Sequence, residues 1–189
     1  MSKAKEIALT GMFTALTVVL SQLAIPLPFT PVPLTLSLAA VFLSGFMLTP
    51  GQAFFSMTAY LLLGLAGAPV FAGLRGGLPV LTGSTGGFLL AYPVMAWFIS
   101  FVGVRLETYG KTKSILIYVL LMTAALSVCY TTGVMWFSGV ALGGFAPADI
   151  KKAFAACVLP FIPLDAVKII LTAVLAVSIK KRIGYILNS

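Results

Sequence analysis

The sequence predicts an all-α, polytopic membrane protein with six transmembrane helices and both termini cytoplasmic, and three observations carry that expectation. Of the 189 residues, 60% are hydrophobic even with glycine left out, against roughly 45–50% with glycine included in soluble domains. Charged residues make up only 8%, and the mean hydropathy of +1.12 comes from apolar runs spread along the whole chain. A helix needs ~20 apolar residues to cross ~30 Å of hydrocarbon, so this length leaves room for about six spans with short connections and for no separate soluble domain. The chain is therefore read as a single membrane domain over residues 1–189.

The first helix is expected near residues 6–25. Its basic start, Lys3 and Lys5, resembles a signal peptide, but the stretch from Ile7 to Ile25 is long enough to cross and further spans follow it. Prolines 26, 28, 31 and 33 end it, because each lacks an N–H and restrains its predecessor. A second helix near 34–48 and a third near 52–66 are joined by Thr49-Pro50-Gly51, which predicts a close helical hairpin. Residues 67–83 hold glycines and prolines around Val70-Phe71, with Arg75 as the only charge, and read as a structured or re-entrant loop. Further helices follow near 84–104, 114–137 and 161–182, with Gly143-Gly144-Phe145-Ala146-Pro147 opening a longer connection before the last.

The net charge of +8 is not that of a nucleic-acid binder, because the positives sit in small groups between apolar runs. With a cytoplasmic N-terminus, the inner side holds Lys3, Lys5, Arg105, Lys111, Lys113, Lys180, Lys181 and Arg182. The outer side holds Arg75, Lys151 and Lys152. That distribution obeys the positive-inside rule. It also puts the proline-rich loop 26–33 and the glycine-rich loop 67–83 on one outer side, as the walls or lid of a binding site.

There is no histidine, which removes the usual zinc ligand sets and the Ser-His-Asp and Cys-His arrangements. Cys129 and Cys157 lie in or next to apolar runs and read as buried thiols. Neither Gly83-Ser84-Thr85-Gly86-Gly87 nor Gly110-Lys111-Thr112 is a Walker loop: the first glycine of that motif would fall on Arg105. If ATP powers this protein, another subunit binds it. The glycines of the first segment are expected to let the outer loop and the next helix approach a ligand or another helix, with Ser84 and Thr85 available as caps.

The clearest anomaly is Asp165 with Lys168, two charges in an otherwise apolar run. Their i, i+3 spacing puts both on one helix face, able to pair with each other or with one ligand. A charge at the centre of a membrane helix costs on the order of 2.5–3.5 kcal/mol, so something must offset it. Ala8, Gly11 and Ala15 form a small-residue face on the first helix, which permits close approach of another helix. Among the aromatics, Phe29 and Phe71 fall on the outer loops and are the candidate ligand contacts.

Four ordered motifs give the chain a family resemblance. They are Pro28-Phe29-Thr30-Pro31-Val32-Pro33-Leu34-Thr35, Gly67-Ala68-Pro69-Val70-Phe71-Ala72-Gly73, Leu81-Thr82-Gly83-Ser84-Thr85-Gly86-Gly87-Phe88, and Pro160 to Lys168. On these, and over nearly its whole length, the chain resembles the BioY family, the biotin-specific substrate-binding (S) components of energy-coupling factor (ECF) transporters. The family pattern usually has Pro at Ser84, Tyr at Phe88 and Gly at Leu164.

The resemblance implies a prokaryotic plasma-membrane protein that binds biotin with high affinity from outside. It implies docking on a transmembrane coupling protein that carries two ABC-type ATPases, with the S component toppling to deliver the vitamin. Biotin is then the transported ligand, and no cofactor, metal or nucleic acid is called for. Ala8, Gly11 and Ala15 become the expected docking face. Asp165 and Lys168 become the polar anchors, with Phe29, Val32, Phe71, Gly73, Gly86 and Gly87 around the apolar middle of the ligand. The residues leave open which charge meets which end of biotin.

Two alternatives stand beside this reading. An integral membrane enzyme would need a general base and several carboxylates, and the acids are scattered at Glu6, Glu107, Asp149 and Asp165. A solitary ion-coupled vitamin carrier would show more intramembrane titratable groups or broken-helix repeats than this one pair.

Overall fold

The computed structural model describes the backbone of residues 3–103 and 111–188, and side chains through residue 179 except at 111 and 112. Arg105, Glu107 and Gly110 lie outside the described residues, as do the side chains of Lys111, Thr112, Lys180, Lys181 and Arg182. In chain order the elements are α1 (Lys3–Gln22), β1 (Ala24–Leu27), β2 (Thr30–Thr35), α2 (Ser37–Met47), α3 (Pro50–Leu65), α4 (Leu78–Thr82), α5 (Gly86–Leu90), α6 (Tyr92–Gly103), α7 (Lys111–Ala141), α8 (Pro147–Cys157) and α9 (Ile162–Asn188). Four stretches are long and apolar enough to cross a membrane, namely Lys3–Gln22, Gly86–Gly103, Lys113–Ala141 and Ile162–Ile179.

Helix α6 packs on α2, α3 and α7, while α1 packs on α2 and α3, and α9 on α2 and α7. This corrects the expected close hairpin of the second and third helices: each packs mainly on α6 rather than on the other. Residues 40–46 of α2 are all buried, which accounts for a run with no polar face. Gly45 is where α2 meets α6, since a Cβ there would lie 2.7 Å from the side chain of Ile99. Large apolar side chains such as Ile7, Val19, Leu62, Leu120 and Leu171 form an exposed belt, as expected where the surrounding solvent is hydrocarbon.

Three further features depart from the expectation. The fold is mostly helical but not all-α, because prolines 26–33 lie in and around an antiparallel hairpin pairing Ala24 with Thr35, Ile25 with Leu34 and Leu27 with Thr30. Pro31 and Pro33 are two residues apart, so their missing donors fall on one edge, and each strand of a two-stranded ribbon has a free edge. The ladder is irregular between Ile25 and Leu27, where Pro26 sits.

Second, the helix expected near 84–104 is assembled from α5 and α6, with α4 preceding it. Third, the connection before the last span is itself a helix, α8, opened by Pro147 at its first turn. The hairpin rests on α8 and α1 through β2.

Candidate functional site

Asp165 occupies the first turn of α9, where its N–H donates to the Phe161 carbonyl at 2.8 Å and the positive end of the helix dipole favours a carboxylate. One turn on, Lys168 Nζ donates to Asp165 Oδ1 at 2.8 Å. The Tyr130 hydroxyl, from α7, donates to Oδ2 at 2.7 Å. The two charged residues are 2% and 9% exposed, so the ion pair and the tyrosine together offset what an isolated buried carboxylate would cost. Lys168 Nζ retains two further protons, and Asp165 retains lone pairs not directed at its partners. The pair is electrically neutral as a unit and still able both to donate and to accept.

Above it lie two compartments. The one of ≈ 60 Å³ contains Asp165, Lys168, Tyr130, Cys129, Cys157, Leu38 and Phe161 in its walls. The one of ≈ 80 Å³ contains Ser21, Ser37, Tyr60, Phe71, Ala72, Arg75, Val80, Thr85 and Leu89. Both are also lined by Val32, Pro33, Thr35, Phe88 and Tyr92, so they abut across these side chains. The hairpin forms the roof through Val32, Pro33 and Thr35. A short hydrogen-bonded chain runs along the shared wall, from Thr35 Oγ1 to Ser37 Oγ at 2.7 Å and from there to the Tyr92 hydroxyl at 2.8 Å. A larger groove of ≈ 530 Å³ between α5–α6 and α7 has no charged residue in its walls and opens on the apolar belt.

The loop after α3 is held from α1. Gln22 Nε2 donates to the carbonyls of Val70 and Phe71 at 3.0 and 3.2 Å, its Oε1 accepts from the Leu74 N–H at 3.0 Å, and Ser21 Oγ donates to Val70 at 2.6 Å. Gly73 and Leu74 both have positive φ, 71° and 57°. For Leu74 that conformation costs roughly 1–2 kcal/mol. The turn they make brings Arg75 back to bridge Phe71, N to O at 2.9 and 3.3 Å.

The sequence-predicted residues therefore divide. Asp165, Lys168, Val32 and Phe71 come together around the two compartments. Phe29 stands at the hairpin turn, 63% exposed and away from both. Gly73 serves the turn rather than the lining. At Gly86 and Gly87 a Cβ would collide with the Leu81 carbonyl and the Trp136 side chain respectively, so Gly86 lets α5 start close against α4 and Gly87 lets it pack on α7. Thr85 is the N-cap residue of α5 without a side-chain cap bond and faces the larger compartment instead. Ala8, Gly11 and Ala15 are exposed along α1, and a Cβ at Gly11 would meet nothing within 4 Å.

Sequence reasoning missed Tyr130, Thr35, Ser37 and Tyr92. Tyr130 was available only as one aromatic among several on a long apolar helix. The other three are polar groups at element boundaries, which a search for polar atoms flanking the outer loops would have raised.

A helical membrane protein with a roofed chamber ending in a buried, neutral ion pair is the class that fold and site define. The family model described as the BioY family matches residues 1–185, and the chain belongs to that family. It is 34% identical over 177 residues to the biotin transporter BioY of Thermotoga maritima, covering 94% of this chain and 96% of that one. It is 39% identical over 174 residues to the probable biotin transporter BioY of Pyrococcus horikoshii, covering 92% and 95%. Among solved structures it matches the S-component for biotin from an ECF-type ABC transporter, with a TM-score of 0.82, 26% identity and coverage of 96% and 95%.

Proposed function

We propose that this chain is the biotin-binding membrane component of an ECF-type transporter: it takes biotin from the outer side and passes it inward through a coupling protein driven by two ATPases. The observation that carries the reading is the Asp165–Lys168–Tyr130 cluster at the end of the chamber. A ureido ring presents N–H donors and a carbonyl acceptor on a neutral frame. Asp165 accepts from the former and Lys168 donates to the latter. Val32, Phe71, Phe88 and Tyr92 surround the apolar remainder, as pockets of this kind are mostly apolar with few polar anchors.

In this reading the protein lies in the prokaryotic plasma membrane with six spans and cytoplasmic termini, which puts the hairpin and the glycine-rich loop outside. The coupling protein docks on the uncovered small face of α1 at Ala8, Gly11 and Ala15. Hydrolysis occurs in the partner subunits. The family membership and the S-component likeness favour this over a solitary ion-coupled carrier or a membrane enzyme.

The test is equilibrium binding of labelled biotin to the detergent-purified chain, with excess unlabelled thiamine and riboflavin as competitors. Tight binding that neither competitor reduces is expected, and its absence in folded protein sinks the substrate assignment. Biotin uptake by cells lacking any coupling protein and ATPases would instead favour the solitary carrier. Ala8→Trp is expected to abolish uptake while leaving binding intact.

A further inference from the structure

The groove of ≈ 530 Å³ between α5–α6 and α7 takes no part in the chamber. Small residues keep it open: Gly87 and Ala91, both buried, on one side and Thr132 of α7 on the other. Its polar side chains have their donors engaged within the protein, since Trp136 Nε1 donates to the Gly83 carbonyl at 2.9 Å and the Thr132 hydroxyl to the Val128 carbonyl at 3.0 Å. Val128 and Trp136 both line it, and the rise of an α-helix sets them about 12 Å apart along α7. At the Trp136 end stands Phe145, 62% exposed. The turn before it is tied to α7, with the Gly144 N–H donating to the Ser138 carbonyl at 3.3 Å and the Ser138 hydroxyl to the Gly144 carbonyl at 2.6 Å. Helix α8 starts at Pro147 and buries Ala153 and Cys157 against Val134 and Phe137 of α7, while Lys151 and Lys152 remain exposed. Among the described residues the only ion pair is Asp165–Lys168, so neither lysine has a carboxylate partner there.

We propose that this groove holds an acyl chain of an anionic glycerophospholipid, whose phosphate-bearing headgroup is taken by Lys151 and Lys152. A trough that opens on the apolar belt and offers no free side-chain donor suits hydrocarbon and repays no polar ligand. The headgroup follows from charge: basic residues beside a membrane-embedded segment attract anionic lipid. Lys151 lies only about 6 Å of helix rise beyond Pro147, two residues after the Phe145 that closes the groove. A helix of another protein could fill the trough but would leave the two lysines without a counter-charge. Gly87 and Leu90 of α5 line the groove, whereas Phe88 and Leu89 line the chamber, so the lipid sits against the back of the chamber wall. The proposal needs only that the chain lies in a bilayer, and it stands apart from the biotin reading.

The chain has two tryptophans, and only Trp136 lines the groove, while Trp97 stacks on Phe101 elsewhere on α6. The full chain is reconstituted in vesicles of phosphatidylcholine and phosphatidylglycerol, with bromine on the acyl chains of one lipid or the other to quench nearby indole fluorescence. In Trp97→Phe, where Trp136 alone reports, phosphatidylglycerol is expected to bind roughly fivefold better than phosphatidylcholine. In Trp136→Phe, where Trp97 alone reports, no preference is expected. Adding Lys151→Gln and Lys152→Gln to Trp97→Phe should abolish the preference. Thr132→Phe and, from the opposite wall, Val94→Phe narrow the groove, and each should reduce quenching of Trp136 by both lipids. Equal quenching of Trp136 by the two lipids would reduce the groove to ordinary lipid-facing surface. A preference that survives without the lysines, or that Trp97 reports equally, would place the headgroup elsewhere. Quenching of Trp136 by neither lipid would assign the groove to a second copy or another helix, and quenching unchanged in both narrowed variants would put the acyl chain outside it. Each of these results overturns the proposal.

Discussion

At one end of the chamber Asp165, Lys168 and Tyr130 come from α7 and α9, helices of 31 and 27 residues, and the two charged groups are buried; at the other, buried Ser21, Ser37, Tyr60 and Tyr92 stand beside the hairpin and the glycine-rich loop, where Arg75 is exposed. The helical end holds its side chains by mutual bonds among Asp165, Lys168 and Tyr130. The loop end holds its backbone instead, through Gln22, Ser21 and the Phe71–Arg75 bridge, and leaves the side chains of Arg75 and Thr85 without mutual bonds of that kind. A buried charge tolerates no missing partner, because water cannot replace it, whereas an exposed rim tolerates substitution and motion. Under the proposed function, the helical end anchors the ligand and the loop end lines the open side of the chamber.

The sharpest way to break this comparison is at the ion pair. Asp165→Asn or Lys168→Ala leaves a charge uncompensated in an apolar wall, at a cost of about 3–5 kcal/mol. Each should lower thermal stability and reduce biotin affinity more than 100-fold, an amount that corresponds to about 2.8 kcal/mol or more. Unchanged titration curves for both variants would show that the pair is not the anchor.

A pair of glycine substitutions tests packing next. In Gly64→Ala the new methyl meets the Phe71 ring, buried at 1% exposure, and overpacking of this kind costs roughly 1–3 kcal/mol. Gly11→Ala meets nothing within 4 Å and should stabilise α1 by up to about 1 kcal/mol. Melting temperatures in detergent that move the same way for both would contradict the assignment of one glycine to the interior and the other to the free face.

Tyr130→Phe removes a single donor from Asp165 and keeps the ring. About tenfold weaker biotin binding is expected, the weight of one hydrogen bond to a charged group, with little change in melting temperature because Tyr130 is only half-buried. A fall in stability without a fall in affinity would make Tyr130 a packing residue.

The smallest effect is expected for Gln22→Ala, which frees the loop without touching the chamber walls. Faster amide exchange around Leu74 and a dissociation rate raised about threefold should follow, since loops held by few bonds open locally at low cost. No change in exchange would show that Gly73 and Leu74 hold their positive φ without help from α1.

The anchoring pair could be read in the sequence because it breaks a local rule: charges inside an apolar run are conspicuous wherever the chain folds. Asp165 and Lys168 are also only three residues apart, so one helical turn suffices to join them. Arg75 stood out only as the one charge of its loop, and nothing local said that the loop returns it to a cavity. The hairpin was hidden because prolines announce the end of a helix more loudly than they announce a strand. The helix α8 was masked by the glycines before it, although Pro147 at the first turn and Asp149 behind it are helix-start signals.

By itself the sequence determined the solvent, the approximate placement of the apolar helices, and the presence of one buried pair of opposite charges. These follow from sums and periodicities along the chain, and the hydrophobic cost of each segment is local to it. Only the tertiary structure decided that Tyr130 reaches Asp165 from 35 residues away, that Ser37 meets Tyr92 across 55, and that Gln22 grips a loop some 50 residues on. Those meetings depend on how each helix is rotated and offset against its neighbours, which close packing of side chains such as Phe42, Met57, Met95 and Ile99 sets and no single segment encodes.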